Sequence, residues 1–107
     1  MMPAEQVVLA LGALAQSTRL AIYRLLVVSG KQGLPAGQIA ESLQLSPATL
    51  SFHFKTLSHA GLIDSRQEGR YIYYAANYTV MSGMLAYLTE NCCASEGGMC
   101  EVHPNQC

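Results

Sequence analysis

The sequence predicts a mainly α-helical fold carrying one β-hairpin, and three observations predict it. Apolar residues recur at helical spacing in several segments along the chain. Two runs of strand-forming residues flank the turn Gln67-Glu68-Gly69-Arg70. The 107 residues, half of them apolar, are enough for one core, and no repeat, low-complexity block or linker divides them.

Each element has its own signal. Pro3 to Ala15 carries Val7, Leu11 and Leu14 on one helical face. Ser17 reads as the N-cap of a second helix bearing Leu20, Tyr23, Leu26 and Val27, which Gly30 ends. After the loop from Lys31 to Leu34, Pro35 suits the first turn of a short helix through Leu43, with Ile39, Ala40 and Leu43 inward. Gln44-Leu45 forms a tight turn. Ser46 then caps a helix whose first position is Pro47, where no N–H is needed. That helix runs to about Ala60 with Leu50, Phe54 and Leu57 inward, and Gly61 is its left-handed C-cap. Leu62 to Arg66 and Tyr71 to Ala75 are the hairpin strands. A last helix from Tyr78 to about Asn91 has Met81, Met84, Leu85 and Leu88 at i, i+3, i+4 and i+7. Residues 1–91 form the folded domain and 92–107 a cysteine-rich tail.

Charge and cysteine placement narrow the function. The net charge is −1, but Arg19, Arg24, Lys31, Lys55, Arg66 and Arg70 all lie between Ala15 and Tyr74, opposed there only by Glu41, Asp64 and Glu68. A basic middle with acidic ends suits a middle that meets phosphates. The sequence has neither an 18-residue apolar run nor a basic segment leading into a hydrophobic one, so no membrane partner is expected. Cys92, Cys93, Cys100 and Cys107 crowd the end of the chain instead of spreading through it as a disulfide framework would. Free thiols in a reducing compartment, the cytoplasm, are the expectation.

Two short helices joined by a tight turn and followed by a charged hairpin describe a winged helix-turn-helix. The second helix of such a pair enters the major groove of DNA, and the hairpin reaches the adjacent backbone. With Leu50, Phe54 and Leu57 inward, the opposite face presents Ala48, Ser51, Phe52 and Lys55. Ser51 can bond to a base edge or a phosphate, Lys55 to a phosphate, and Phe52 can meet a thymine methyl. Ser46, Thr49, Arg66 and Arg70 complete the expected DNA contacts. The plainer alternative packs Phe52 on a neighbouring loop and leaves Ser51 solvated. His53 and His59 lie on the same helix, and His53, beside the inward stripe, reads as a packing or hydrogen-bonding residue more than a metal ligand.

The run Leu45-Ser46-Pro47-Ala48-Thr49-Leu50-Ser51-Phe52-His53-Phe54-Lys55-Thr56-Leu57, then Ala60-Gly61-Leu62-Ile63 and Glu68-Gly69-Arg70-Tyr71-Ile72-Tyr73-Tyr74, resembles the ArsR/SmtB family of metal-responsive repressors. So does Leu14-Ala15-Gln16-Ser17-Thr18-Arg19-Leu20. The resemblance covers about residues 5 to 90. It implies a homodimer joined through the first and last helices, with Val7, Leu11, Met81, Met84, Leu85 and Leu88 at the interface. It also implies repression of double-stranded operator DNA that ends when an ion binds.

The tail suggests which ion. Gly97-Gly98 allows a reversal that brings Cys100 back onto the vicinal pair Cys92 and Cys93. Three thiolates then suit a soft ion. Trivalent arsenic or antimony, As(III) or Sb(III), is satisfied by three sulfurs, whereas zinc and cadmium want a fourth ligand from Cys107, His103 or water. The helix from Leu34 to Leu43 has no cysteine, and Tyr78 to Asn91 has neither Asp nor His, so the family's arsenic site on the former and zinc site on the latter are absent. Cys92, Cys93 and Cys100 resemble the vicinal arrangement of other arsenite-sensing members. Sensing of cadmium, zinc or lead, a redox disulfide such as Cys92–Cys100, and an inert tail remain alternatives. A Cys92–Cys93 disulfide would be strained, because neighbouring Cα atoms lie about 3.8 Å apart. An enzyme such as an arsenate reductase would need a thiolate beside an anion-binding helix N-terminus. These cysteines instead follow a helix C-terminus between Glu90 and Glu96, so no catalysis and no catalytic cofactor are expected.

Overall fold

A computed structural model describes residues 2–94 of the protein. The elements run α1 (Ala4–Leu14), α2 (Ser17–Ser29), β1 (Leu34–Pro35), α3 (Ala36–Leu43), α4 (Pro47–His59), β2 (Ile63–Glu68), β3 (Tyr71–Ala76) and α5 (Tyr78–Thr89). The three strands form one antiparallel sheet in the order β1-β3-β2. This is the winged helix-turn-helix arrangement, with α3 and α4 as the helix pair and β2–β3 as the wing.

The core forms where one face of each helix meets the base of the wing. Ile22, Leu26, Ile39, Leu57 and Leu62 are fully buried, each contributing about 2 kcal/mol by removal from water. Val7, Ala10 and Ala13 of α1 and Met84 of α5 close the same cluster. Tyr78 anchors the start of α5 by donating its hydroxyl to Val27 O at 2.8 Å. Among the described residues no single helix is long and apolar enough to cross a membrane.

Several helix ends differ from the sequence expectation. The N-cap of α2 is Gln16, not Ser17: the Gln16 side chain accepts from Arg19 N at 2.8 Å. Pro35 sits one residue outside α3 and pairs with Tyr73 in a short strand, where a loop and a helical first turn were expected. The last helix stops at Thr89, so Cys92 and Cys93 lie in the turn beyond it. Ser46 and Pro47 do start α4, and Gly61 follows it at φ +77°.

The two helices expected to pair between subunits use part of their stripes within one chain. Val7 and Met84 are 2% and 5% exposed in the single chain, so the intramolecular core already covers them. Val8, Leu9, Leu11 and Leu88 remain exposed on α1 and α5, whereas Met81 and Leu85 are half-buried.

Two glycines with positive φ carry unequal demands. A Cβ on Gly33, at φ +74°, would lie 2.1 Å from Tyr74 O, so the loop passes against the β3 backbone where only glycine fits. Gly69 opens the two-residue wing turn at φ +62° with nothing near its missing Cβ. Gly33→Ala is therefore expected to destabilise the fold by about 3 kcal/mol, combining left-handed strain with a clash. Gly69→Ala should cost about 1 kcal/mol, from strain alone. Urea unfolding of the two variants checks the difference.

Candidate nucleic-acid interface

The geometry of α4 follows from its ends and its inner face. Ser46 Oγ accepts from Thr49 N at 3.2 Å and donates to Thr49 Oγ1 at 2.9 Å, which satisfies a donor that the helix cannot. Two of the expected DNA-contacting hydroxyls are thus partly engaged in capping. Leu50, His53, Phe54 and Leu57 are buried. Ala48, Ser51, Phe52 and Lys55 are exposed on the other side. Phe52 is 64% exposed and makes an edge contact with the His53 ring at 5.4 Å. No loop covers it, so the plainer alternative fails for this side chain.

The wing is fixed to α4 from within. Phe54 and Tyr74 stack with centroids 3.9 Å apart and planes 26° apart. Tyr74 belongs to β3, where it pairs with Ser65 of β2 on one side and Leu34 of β1 on the other. Recognition helix and wing therefore share one rigid joint. At the far end of the hairpin, Arg70 lies exposed at the tip. Among the described residues neither Lys55 nor Arg70 is held in an ion pair. A phosphate can therefore take up either charge without breaking a contact.

Arg66 was expected at phosphates beside Arg70, but it is occupied differently. Its guanidinium donates to Gln32 O at 2.7 Å, pairs with Glu68 and lies 4.8 Å from the Tyr73 ring centroid. It clamps β2 to the loop before β1. Lys31 and Asp64 share with it the lining of a cleft of about 230 Å³. Charge alone does not separate this engaged arginine from Arg70, which has no ion-pair partner among the described residues.

His53 is 8% exposed and is the buried polar side chain of the core. Burial, then the nearby Arg19 guanidinium, hold its pKa below the ordinary value of 6.5. Burial, with a smaller effect from Tyr78, pushes Tyr23 up to about 12, and the Tyr23 hydroxyl has no hydrogen-bond partner among the described residues.

Beyond α5 the chain turns through Asn91 and Cys93, both at positive φ. This turn brings the vicinal sulfurs to 3.5 Å. Both cysteines are half-buried. Cys93 is a free thiol, but Cys92 is disulfide-bonded, which corrects the expectation of free thiols at this position. Cys100, His103 and Cys107 lie outside the described residues. Among the described residues no group of three or more His, Cys, Asp or Glu side chains is placed to hold a metal ion.

The clamp gives a direct expectation. Arg66→Ala should raise amide exchange in the β2–β3 ladder about five-fold, through loss of a charged hydrogen bond to Gln32 O, with little change in the melting temperature. Hydrogen exchange read by mass spectrometry resolves the wing from the core.

Comparison with known proteins agrees with this geometry. A helix-turn-helix domain family model matches residues 14–66. The HTH-type transcriptional regulator YgaV of Escherichia coli is 31% identical over 90 residues, 84% of this chain and 89% of that protein. The HTH-type regulator YceK of Bacillus subtilis is 47% identical over 58 residues, 54% of this chain, and the chain spans only 57% of its length. Among solved structures, an ArsR-like transcriptional regulator from Rhodococcus superimposes with a TM-score of 0.72 at 25% identity, covering 87% of this chain and 84% of that one. A homodimeric winged helix-turn-helix DNA-binding domain from Mycobacterium bovis, described as a possible ArsR-family regulator, does so with a TM-score of 0.66 at 26% identity, covering 92% and 88%. The chain belongs to the ArsR family of helix-turn-helix transcriptional regulators.

Proposed function

We propose that this chain is a cytoplasmic, homodimeric repressor that holds operator DNA through α4 and the wing. It releases that DNA when trivalent arsenic or antimony binds Cys92, Cys93 and Cys100. The observation that carries the DNA part is the uncovered face of α4 beside a wing tip with an unpaired arginine. Ser51 and Phe52 stand where base edges are read, and Lys55 and Arg70 where phosphates lie. The homodimeric Mycobacterium bovis neighbour supports the assembly, as do exposed Leu11 and Leu88 on the two helices that would pair. Two subunits related by a two-fold axis present two recognition helices to two half-sites.

The vicinal sulfurs 3.5 Å apart support the metalloid part. Once the disulfide that holds Cys92 is reduced, one soft ion spans both sulfurs, and a thiolate from Cys100 completes a pyramidal site that needs no imidazole or carboxylate. Ligand chemistry here is binding, with the ion as inducer, and no catalysis follows from it. Release travels through α5: an ion that draws the tail onto the Cys92–Cys93 turn reshapes the end of this helix, and with it the spacing of the recognition helices. The ion shifts the equilibrium only by its differential affinity for the DNA-free form.

Two outcomes are expected. Lys55→Ala and Arg70→Ala should each weaken operator binding and lower its salt slope by about 0.9, the loss of one phosphate contact. Ser51→Ala and Phe52→Ala should change base preference at a constant slope. Anisotropy titrations across salt concentrations measure both, and an unchanged affinity in the Lys55→Ala/Arg70→Ala double variant would refute this docking. Cys92→Ser, Cys93→Ser and Cys100→Ser should each repress a reporter but fail to respond to arsenite, while Cys107→Ser responds normally. Parallel titration of bound operator with arsenite, antimonite, cadmium, zinc and peroxide identifies the inducer. Release by peroxide or cadmium, with none by arsenite, would replace the metalloid reading.

A further inference from the structure

Arg19 stands where three helices meet. Its backbone N–H closes the start of α2 on Gln16 Oε1 at 2.8 Å. Its Nε donates to Ala13 O at 2.6 Å, one of the last carbonyls of α1 and without a partner inside that helix. Its Nη1 lies 3.5 Å from Nδ1 of His53, on α4. A guanidinium has only donors, so Nδ1 is the acceptor and the proton of the neutral ring sits on Nε2. One planar, always-charged group thus touches α1 and the buried side of α4 together.

Apolar contacts between α1 and α4 set how closely the helices approach, but such contacts have no direction. Hydrogen bonds do. The bridge therefore restrains how α4 turns and slides against α1, which apolar packing leaves soft.

We propose that Arg19 is a positioning residue for DNA recognition: by bridging Ala13 O to the neutral ring of His53, it sets the docking angle of α4 relative to α1. Neither side chain lies on the exposed face of α4. This rests on the reading of α4 as the DNA-docking helix. Protonation of His53 breaks the bridge, because an imidazolium has no acceptor and meets a like charge. Arg19 is the charged group that acts on the ring, and its neighbour on α4 is the uncharged Phe52 ring. Since burial and Arg19 lower the His53 pKa, the bridge is intact at neutral pH and is lost as pH falls through a value below 6.5.

The test uses the full chain and a duplex that the wild-type protein selects from a random pool. Affinity is measured from pH 8 to pH 5 at constant ionic strength, with the thermal melt of each variant. Arg19→Gln and His53→Leu should each weaken binding about ten-fold at pH 8, the scale of a charged hydrogen bond. The double variant should be no weaker than the worse single, because both remove one interaction. Arg19→Lys, which reaches one partner but not both, should match Arg19→Gln. Salt slopes should stay at the wild-type value, since no phosphate contact is lost. His53→Gln keeps an acceptor that does not titrate, so it should bind within about three-fold of wild type at pH 8. The wild-type to His53→Gln affinity ratio should then fall about ten-fold in acid; His59 and His103 are common to both proteins and cancel.

Wild-type affinity in Arg19→Gln, additive losses in the double variant, or parallel pH profiles for wild type and His53→Gln would each overturn the proposal. So would a loss confined to variants unfolded at the assay temperature. If the wild type selects no duplex, the reading of α4 fails and the proposal with it. If it selects one and the variants bind alike, only the bridge fails.

Discussion

The stack of Phe54 on Tyr74 is the contact on which the functional surface depends. It joins an inward residue of α4 to the central strand of the sheet, and that strand carries the wing. Burial of Phe54 is worth about 2 kcal/mol and ring stacking adds about 1 kcal/mol. The larger effect is geometric. The proposed docking, with α4 in one groove and the hairpin on the neighbouring backbone, requires a fixed offset between the two. The stack supplies it from the core side, leaving the outer faces of both elements free. Arg66 holds the same hairpin from its other strand through Gln32 O, so the wing is fastened on two sides.

Much of this was legible in the sequence wherever a residue does one thing. Ser46-Pro47 has few uses besides starting a helix, and Gly61 few besides ending one. The hairpin closes at Gly69 as expected, but Gln67 and Glu68, expected in the turn, extend β2 and pair with Ile72 and Tyr71, which leaves Gly69-Arg70 as the turn. Ambiguity entered where a residue had two uses. Gln16 and Ser17 both have oxygens that can accept a capping bond, and the longer side chain reached Arg19 N first. Pro35 suits a helix start and a strand edge equally, and a two-residue strand has no periodicity to read. Arg66 and Arg70 are alike as letters, yet one is spent on a carbonyl, a carboxylate and a ring, and the other is unspent.

The helical stripes show a different limit. A stripe says that a face is buried, not which chain buries it. Val7 and Met84 lie in the stripes of α1 and α5 and are covered by their own chain, while Leu11 and Leu88 of the same stripes are not. The narrow apolar faces thus divide by depth, the deeper residues holding the helices to the domain and the outer ones exposed, where the proposed dimer would bury them. Of the cysteine site, the vicinal pair falls in the turn after α5, and the expected third sulfur, Cys100, lies outside the described residues.

Gly33 has a consequence for how this fold tolerates change in length. Its backbone passes so close to Tyr74 O that the loop from Gly30 to Leu34 and strand β3 act as one piece. An inserted residue there would shift the loop against the strand, pulling Gln32 O away from Arg66 and tilting the hairpin. The tip at Gly69 has open space around it and its flanks end in solvent. Length variation is therefore channelled to the tip, where it alters how far the hairpin reaches without altering where it points. One glycine far from the tip thus divides the hairpin into a base of fixed dimensions and an end that is free to be remodelled.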